Sequence, residues 1–249
     1  MGACGVMSLG GAHSNHLHAL AAAGQRFGFA TVGLLRGEPC QTPTVEDLQR
    51  FGMRLHWLGY GGYRRRHEDG FWSDWLALYP DFYPIAEGGK SLLGTQGLLS
   101  LETQVVQQLE CIGWRDFDAW WVAAGTGTTM AGLALLPGRR AVYGAMAVPS
   151  GSGVAEQVAE LIERSSLPAA SYCVVEAARA GFARVDPHLL AFMQAAEQES
   201  GIALEPIYTA KALLALHDAV KGGRITSGTR LVFVHTGGLQ GRRAALDRP

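Results

Sequence analysis

Three clusters in this sequence hold residue types that do chemistry. The first, Gly10-Gly11-Ala12-His13-Ser14-Asn15-His16-Leu17-His18, puts two glycines after an apolar run and a Ser-Asn pair before an alanine-rich segment. Serine and asparagine are strong helix N-caps, and the unpaired N–H groups and dipole of a helix start attract carboxylates and phosphates. The same pattern reads equally as a plain strand, turn and capped helix. His13, His16 and His18 invite a metal, but only His13 and His16 share a helical face and no nearby carboxylate completes a shell, so no metal is assigned. The second cluster, Ala123-Ala124-Gly125-Thr126-Gly127-Thr128-Thr129-Met130-Ala131-Gly132, is a glycine and threonine loop between an apolar run and a helix. Backbone N–H groups and hydroxyls in such loops cradle phosphate. Met130 stands where a dinucleotide fingerprint wants glycine, so a single phosphate suits the loop better than a pyrophosphate. The third cluster pairs Pro206-Ile207-Tyr208-Thr209-Ala210-Lys211 with Val234-His235-Thr236-Gly237-Gly238-Leu239-Gln240-Gly241. Its hydroxyls fall at element ends, where parallel α/β sheets bind ligands. Taken alone, Tyr208 could equally be a core tyrosine with a satisfied hydroxyl.

Other motifs fail on inspection. Gly89-Lys90-Ser91 imitates the tail of a nucleotide-triphosphate loop, but Pro84 occupies the place of the first glycine, and no G-x-S-x-G nucleophile elbow occurs. Arg64-Arg65-Arg66, followed by His67, Glu68 and Asp69, reads as a solvated helix face with local ion pairs.

The elements that must position these clusters alternate along the chain. Apolar runs of strand length are Gly5–Leu9, Thr31–Leu35, Arg54–Leu58, Phe82–Ile85, Ala119–Ala123, Arg140–Met146, Tyr172–Glu176 and Leu231–His235. Amphipathic segments between them are Asn15–Phe27, Val45–Phe51, Gly97–Ile112, Val154–Arg164, Pro187–Ser200 and Ala210–Val220. This alternation predicts an α/β fold with parallel sheets, and no repeat period points to a solenoid or propeller. The glycine-rich stretch Gly88–Gly97 divides a smaller domain, residues 1–95 with the Ser-Asn cluster, from a larger one, residues 96–249 with the phosphate loop and the Thr-Gly-Gly motif.

Composition narrows the classes. The 249 residues suffice for a sizeable core without staples, 48% are apolar and 17% charged, and the 33 glycines fall in short groups with no collagen period. A net charge of −1 offers no field to gather nucleic acid or an anionic membrane, so neither is expected as a partner. Cys4, Cys40, Cys111 and Cys173 are scattered without a C-x-x-C; they are expected to be packing residues in a reducing cytosol. No basic segment followed by a long apolar run opens the chain, and Val6 stands where a myristoylation site wants serine or threonine, so a cytoplasmic location is expected.

In this order the clusters resemble the pyridoxal-phosphate enzymes of the 1-aminocyclopropane-1-carboxylate deaminase and D-cysteine desulfhydrase family, along essentially the whole chain. GG-x-x-SNH, the Gly-Thr loop, P-x-YT-x-K and HTGG-x-x-G are each modest signals and form a specific set in register. The resemblance implies the tryptophan-synthase-β-like fold (fold type II), two open parallel-type sheets with flanking helices, and a homodimer with pyridoxal 5'-phosphate as cofactor. It implies that Ser14 meets the substrate carboxylate and helps move protons, and that Asn15 bonds the cofactor's phenolic oxygen and lies, with His16, at the substrate. Gly125, Thr126, Gly127, Thr128 and Thr129 would cup the phosphate. Tyr208 would be the catalytic tyrosine, with Thr209, Thr236 and Gly237 around the pyridine nitrogen.

Two departures qualify what is carried over. A second family tyrosine is matched by Phe182, which stacks on substrate but has no hydroxyl. The family's Schiff-base lysine lies further before the Ser-Asn pair than this sequence extends, and Lys90, Lys211 and Lys221 all lie elsewhere, so part of the larger domain is expected to be missing. The cofactor acts as an electron sink. Deaminases that open the cyclopropane ring have glutamate where Thr209 stands, so the neutral residue favours desulfhydrase-like α,β-elimination to pyruvate and ammonia. Cyclopropane deamination is the alternative, and a non-catalytic protein of the same fold is an alternative of a different class.

Overall fold

The computed structural model describes residues 2–179, 181 and 184–246. They fall into two compact units, the first running to Gly89 and the second covering Lys90–Ala245. The division precedes the one expected after residue 95, because Ser91 caps a short helix, α5 (Leu92–Gln96), that packs on helices of the second unit.

The first unit runs β1 (Gly5–Gly10), α1 (Asn15–Phe27), β2 (Ala30–Leu35), α2 (Pro43–Arg50), β3 (Arg54–Trp57), α3 (Gly59–Arg64), α4 (Phe71–Leu78) and β4 (Phe82–Pro84), with its parallel sheet ordered β3-β2-β1-β4. Side chains of a strand alternate between faces. Met7 and Leu9 join Val32, Leu34 and Tyr63 in one core, while Leu35 meets Leu17, Ala21 and Leu48 in the other. Helix α2 begins where Thr42 accepts from Val45 N and Pro43 presets the first turn. The basic run falls at the end of α3 and beyond it, with Arg65 paired to Glu68 and Arg66 to Glu87.

The second unit continues with α6 (Leu99–Leu109), β5 (Ala119–Ala124), α7 (Thr128–Ala134), β6 (Ala141–Met146), α8 (Val154–Ser165), β7 (Tyr172–Glu176), α9 (Pro187–Ser200), α10 (Thr209–Lys221), β8 (Leu231–Val234) and α11 (Leu239–Leu246). Its sheet is also parallel, in the order β7-β6-β5-β8. Every residue of β5 is buried, as expected of a central strand covered by helices on both faces. Trp120 packs with Val122, Met130 and Val158 on one side, and Trp121 with Ala212 and Ala215 on the other, where its indole donates to Ala212 O at 2.8 Å. The arrangement is thus α/β, with two four-stranded parallel sheets flanked by helices.

The cysteines differ from expectation. All four are exposed, because Cys4 precedes β1, Cys40 lies in a loop, Cys111 follows α6 and Cys173 sits on the edge strand β7. No helix among the described residues is long and apolar enough to cross a membrane.

Candidate functional site

In each sheet the chain order reverses once, between β1 and β4 in the first unit and between β5 and β8 in the second. Ligands of open α/β sheets bind at such reversals, outside the carboxyl ends of the strands. The Ser-Asn cluster follows β1, the Gly-Thr loop follows β5 and the Thr-Gly-Gly motif follows β8.

In the first unit Ser14 is the N-cap of α1, with its Oγ accepting from Leu17 N at 3.2 Å. Gly10 permits this, because a Cβ there would lie 2.5 Å from that Oγ. Asn15 and His16 are the first two residues of α1, both half-buried. His16 Nε2 lies 2.7 Å from the hydroxyl of Ser8, a fully buried residue of β1. Burial depresses the His16 pKa, with Glu87 opposing. His18 turns to Asp47 at 3.0 Å, an ion partner shared with Arg50. No sequence signal marked Ser8, a lone polar residue in an apolar strand, or Tyr63, whose buried phenol donates to Glu87 at 2.6 Å. Burial and that carboxylate push the Tyr63 pKa up.

In the second unit β5 delivers its chain into Gly125, Thr126 and Gly127, and α7 starts at Thr128. Gly127 has φ +79°, and a Cβ on it would lie 2.6 Å from Val158 Cγ2, so only glycine fits. It makes no side-chain cap, which leaves the first N–H groups of α7 without a side-chain acceptor. The hydroxyls of Thr126 and Thr128 are 3.3 Å apart; Thr128 is buried and Thr126 and Thr129 half-buried. Tyr208 joins this loop, since a Cβ on Gly125 would lie 3.1 Å from its Cε1. Thr236 is exposed and Gly237 has φ +78°, with Gly237 N donating to His235 Nδ1 at 3.1 Å while His235 Nε2 holds Ala203 O at 2.9 Å.

Thr209 is the first residue of α10. It is fully buried, and its hydroxyl donates to Glu205 O at 3.2 Å and accepts from Glu205 N at 2.9 Å. The residue that sequence reasoning missed is Glu205 itself. Its buried carboxylate accepts from Ile207 N, Tyr208 N and Thr209 N at 2.8, 2.5 and 2.7 Å, capping α10. Burial raises its pKa and the three N–H donors oppose the rise. A carboxylate just before the start of a helix was the available signal. Lys90 pairs with Glu160, Lys211 is buried with its ammonium donating to Ala178 O and Gly181 O, and Lys221 ends α10. Phe182 lies outside the described residues.

A family model described as "Pyridoxal-phosphate dependent enzyme" matches residues 5–237. A protein of Pyrococcus abyssi named "Putative 1-aminocyclopropane-1-carboxylate deaminase" is 25% identical over 95% of this chain and 74% of its own. A protein of Klebsiella pneumoniae named "D-cysteine desulfhydrase" is 28% identical over 63% of this chain and 50% of its own. Among solved structures, one described as an ACC deaminase homologue covers 96% of this chain and 75% of its own, with a TM-score of 0.78 and 23% identity, and it shows the shared fold. With the match spanning both sheets, the first two clusters and the third as far as Gly237, the chain belongs to the pyridoxal-phosphate dependent enzyme family.

Proposed function

We propose that this protein carries out α,β-elimination on a small amino acid, D-cysteine being the type substrate, to give pyruvate, ammonia and sulfide. The observation that carries the reading is the placement of the Tyr208 ring against Gly125. It sets a phenolic acid-base group beside a loop fitted to phosphate, with a Cβ-excluding glycine at 127 and uncapped N–H groups at the start of α7. Bound pyridoxal phosphate supplies the electron sink that makes the substrate's α-proton removable.

The roles of the chain's own residues follow from their bonding. Gly125, Thr126, Gly127, Thr128 and Thr129 hold the phosphate by backbone N–H groups and hydroxyls. Ser14 Oγ accepts from Leu17 N, so its proton is available for a substrate carboxylate oxygen. Asn15 orients the cofactor's phenolic oxygen, and His16 adjoins the substrate. The Thr236 hydroxyl, exposed and without a hydrogen-bond partner among the described residues, serves the ring nitrogen, with Gly237 setting the turn beside it. Thr209 stands where the cyclopropane-opening deaminases have glutamate and brings no charge of its own, which favours elimination over ring opening. Tyr208 passes protons at its phenolic oxygen. Lys90 bonds Glu160 and Lys211 bonds Ala178 O and Gly181 O, and neither is assigned to the cofactor. A homodimer, on the strength of the family resemblance, a cytoplasmic location, on the scattered cysteines, and separate domains for the Ser-Asn cluster and the phosphate loop, on the glycine-rich stretch between them, complete the reading.

The test is to incubate the protein with pyridoxal phosphate and either D-cysteine or 1-aminocyclopropane-1-carboxylate. Pyruvate and sulfide from D-cysteine are expected. A 2-oxo acid from the cyclopropane substrate alone, or bound cofactor with turnover of neither, overturns the assignment.

A further inference from the structure

The geometry points to His16 Nδ1 as a hydrogen-bond acceptor for a protic group on the substrate side chain, a thiol or hydroxyl, with Ser8 as the residue that fixes the tautomer. The inference rests on the amino-acid reading above and names the feature of the substrate that the first unit selects. Ser8 Oγ lies 2.8 Å from Ile85 O and 2.7 Å from His16 Nε2, and the residue is fully buried in β1. A carbonyl oxygen only accepts, so the single hydroxyl proton of Ser8 goes to Ile85. Nε2 must therefore carry a hydrogen and donate to Ser8.

Burial disfavours the imidazolium form of His16. A neutral ring with its hydrogen on Nε2 has a bare lone pair on Nδ1. That nitrogen has no hydrogen-bond partner among the described residues. Its edge of the ring faces Gly89, where a Cβ would lie 3.6 Å from Cε1 and 3.9 Å from Nδ1. Gly89 has φ +72°, a conformation that L side chains rarely adopt, so residue 89 sets no side chain over that edge. His16 lies two residues beyond Ser14 and beside the reversal between β1 and β4, where a ligand is expected. A nitrogen that can only accept favours a substrate with an S–H or O–H and gives nothing to a ring methylene.

Two measurements separate this inference from the functional reading. In the unloaded full chain, imidazole 15N spectra are expected to show hydrogen on Nε2 and none on Nδ1, with Ser8→Ala giving mixed tautomers. Hydrogen on Nδ1 of the wild type overturns the inference whatever the activity. In the cofactor-loaded protein, His16→Gln is expected to lower kcat/KM for D-cysteine relative to the cyclopropane amino acid by about tenfold, the scale of one neutral hydrogen bond. His16→Asn, whose amide oxygen can stand near Nδ1, is expected to recover part of that ratio. Equal losses on both substrates overturn the inference. Turnover of neither by the wild type overturns the functional reading instead. A titration of the loaded protein then decides: a shift of the Nδ1 signal with D-cysteine alone supports the inference, and no shift overturns it.

Discussion

The ring of Tyr208 lies against the backbone of Gly125, so close that a Cβ on the glycine would sit 3.1 Å from Cε1 and 3.7 Å from the phenolic oxygen. Two segments 83 positions apart in sequence are thereby fixed to one another, the end of β5 and the start of α10. Gly125→Ala is expected to push the ring aside by a few tenths of an ångström while leaving the fold intact. Catalytic geometry is sensitive to shifts of this order, so elimination is expected to fall at least tenfold with an unchanged melting temperature.

Tyr208→Phe keeps this packing and removes the proton-carrying oxygen. Loss of a general acid-base group costs about 10²- to 10⁴-fold in rate. Cofactor binding, followed by its visible absorbance, is expected to stay within twofold of the wild type.

Ser14 can be divided into its cap and its hydroxyl. Ser14→Ala removes the acceptor of Leu17 N, and the loss of an N-cap costs about 1 kcal/mol in denaturant unfolding. Ser14→Asp also caps, so stability is expected to return. Activity is not, because the aspartate repels the substrate carboxylate that the serine proton attracts.

Glu205 ties pH to stability. Its carboxyl pKa is raised by burial, so the folded state holds that proton more tightly than the unfolded chain. The stability it lends is therefore fully present below the ordinary carboxylate range and is lost as pH rises through the raised folded value. Glu205→Gln is expected to flatten this part of a Tm-against-pH profile. Glu205→Ala leaves three N–H groups at 207–209 without their acceptor, at about 1–3 kcal/mol for a buried group, and is expected to lower Tm across the whole range.

All eight strands among the described residues were legible as apolar runs, and so were the long amphipathic helices such as α1 and α9, because each buries one face. Helix α7 was legible only as the helix that follows the Gly-Thr loop, because Thr128–Ala134 is buried almost all round and shows no polar face. Glycines broke the pattern of α3, and α4 packs aromatic residues in place of a periodic stripe. At the site, the glycines and hydroxyls were readable because turns and caps demand particular residue types. Ser8 was not, since it acts through a ring and a carbonyl that only the folded chain brings near, whereas Glu205 left the local signal of a carboxylate just ahead of a helix.

The exposure of Cys4, Cys40, Cys111 and Cys173 has a practical corollary. With every thiol already open to reagent, alkylation proceeds at similar rates in folded and denatured protein and carries no information on unfolding. Two thiols mark each unit, which suits them to site-directed labels instead. The unfolding reporters must be found in the sealed interior, and the adjacent indoles of Trp120 and Trp121, facing opposite layers of the second sheet, supply one for each side.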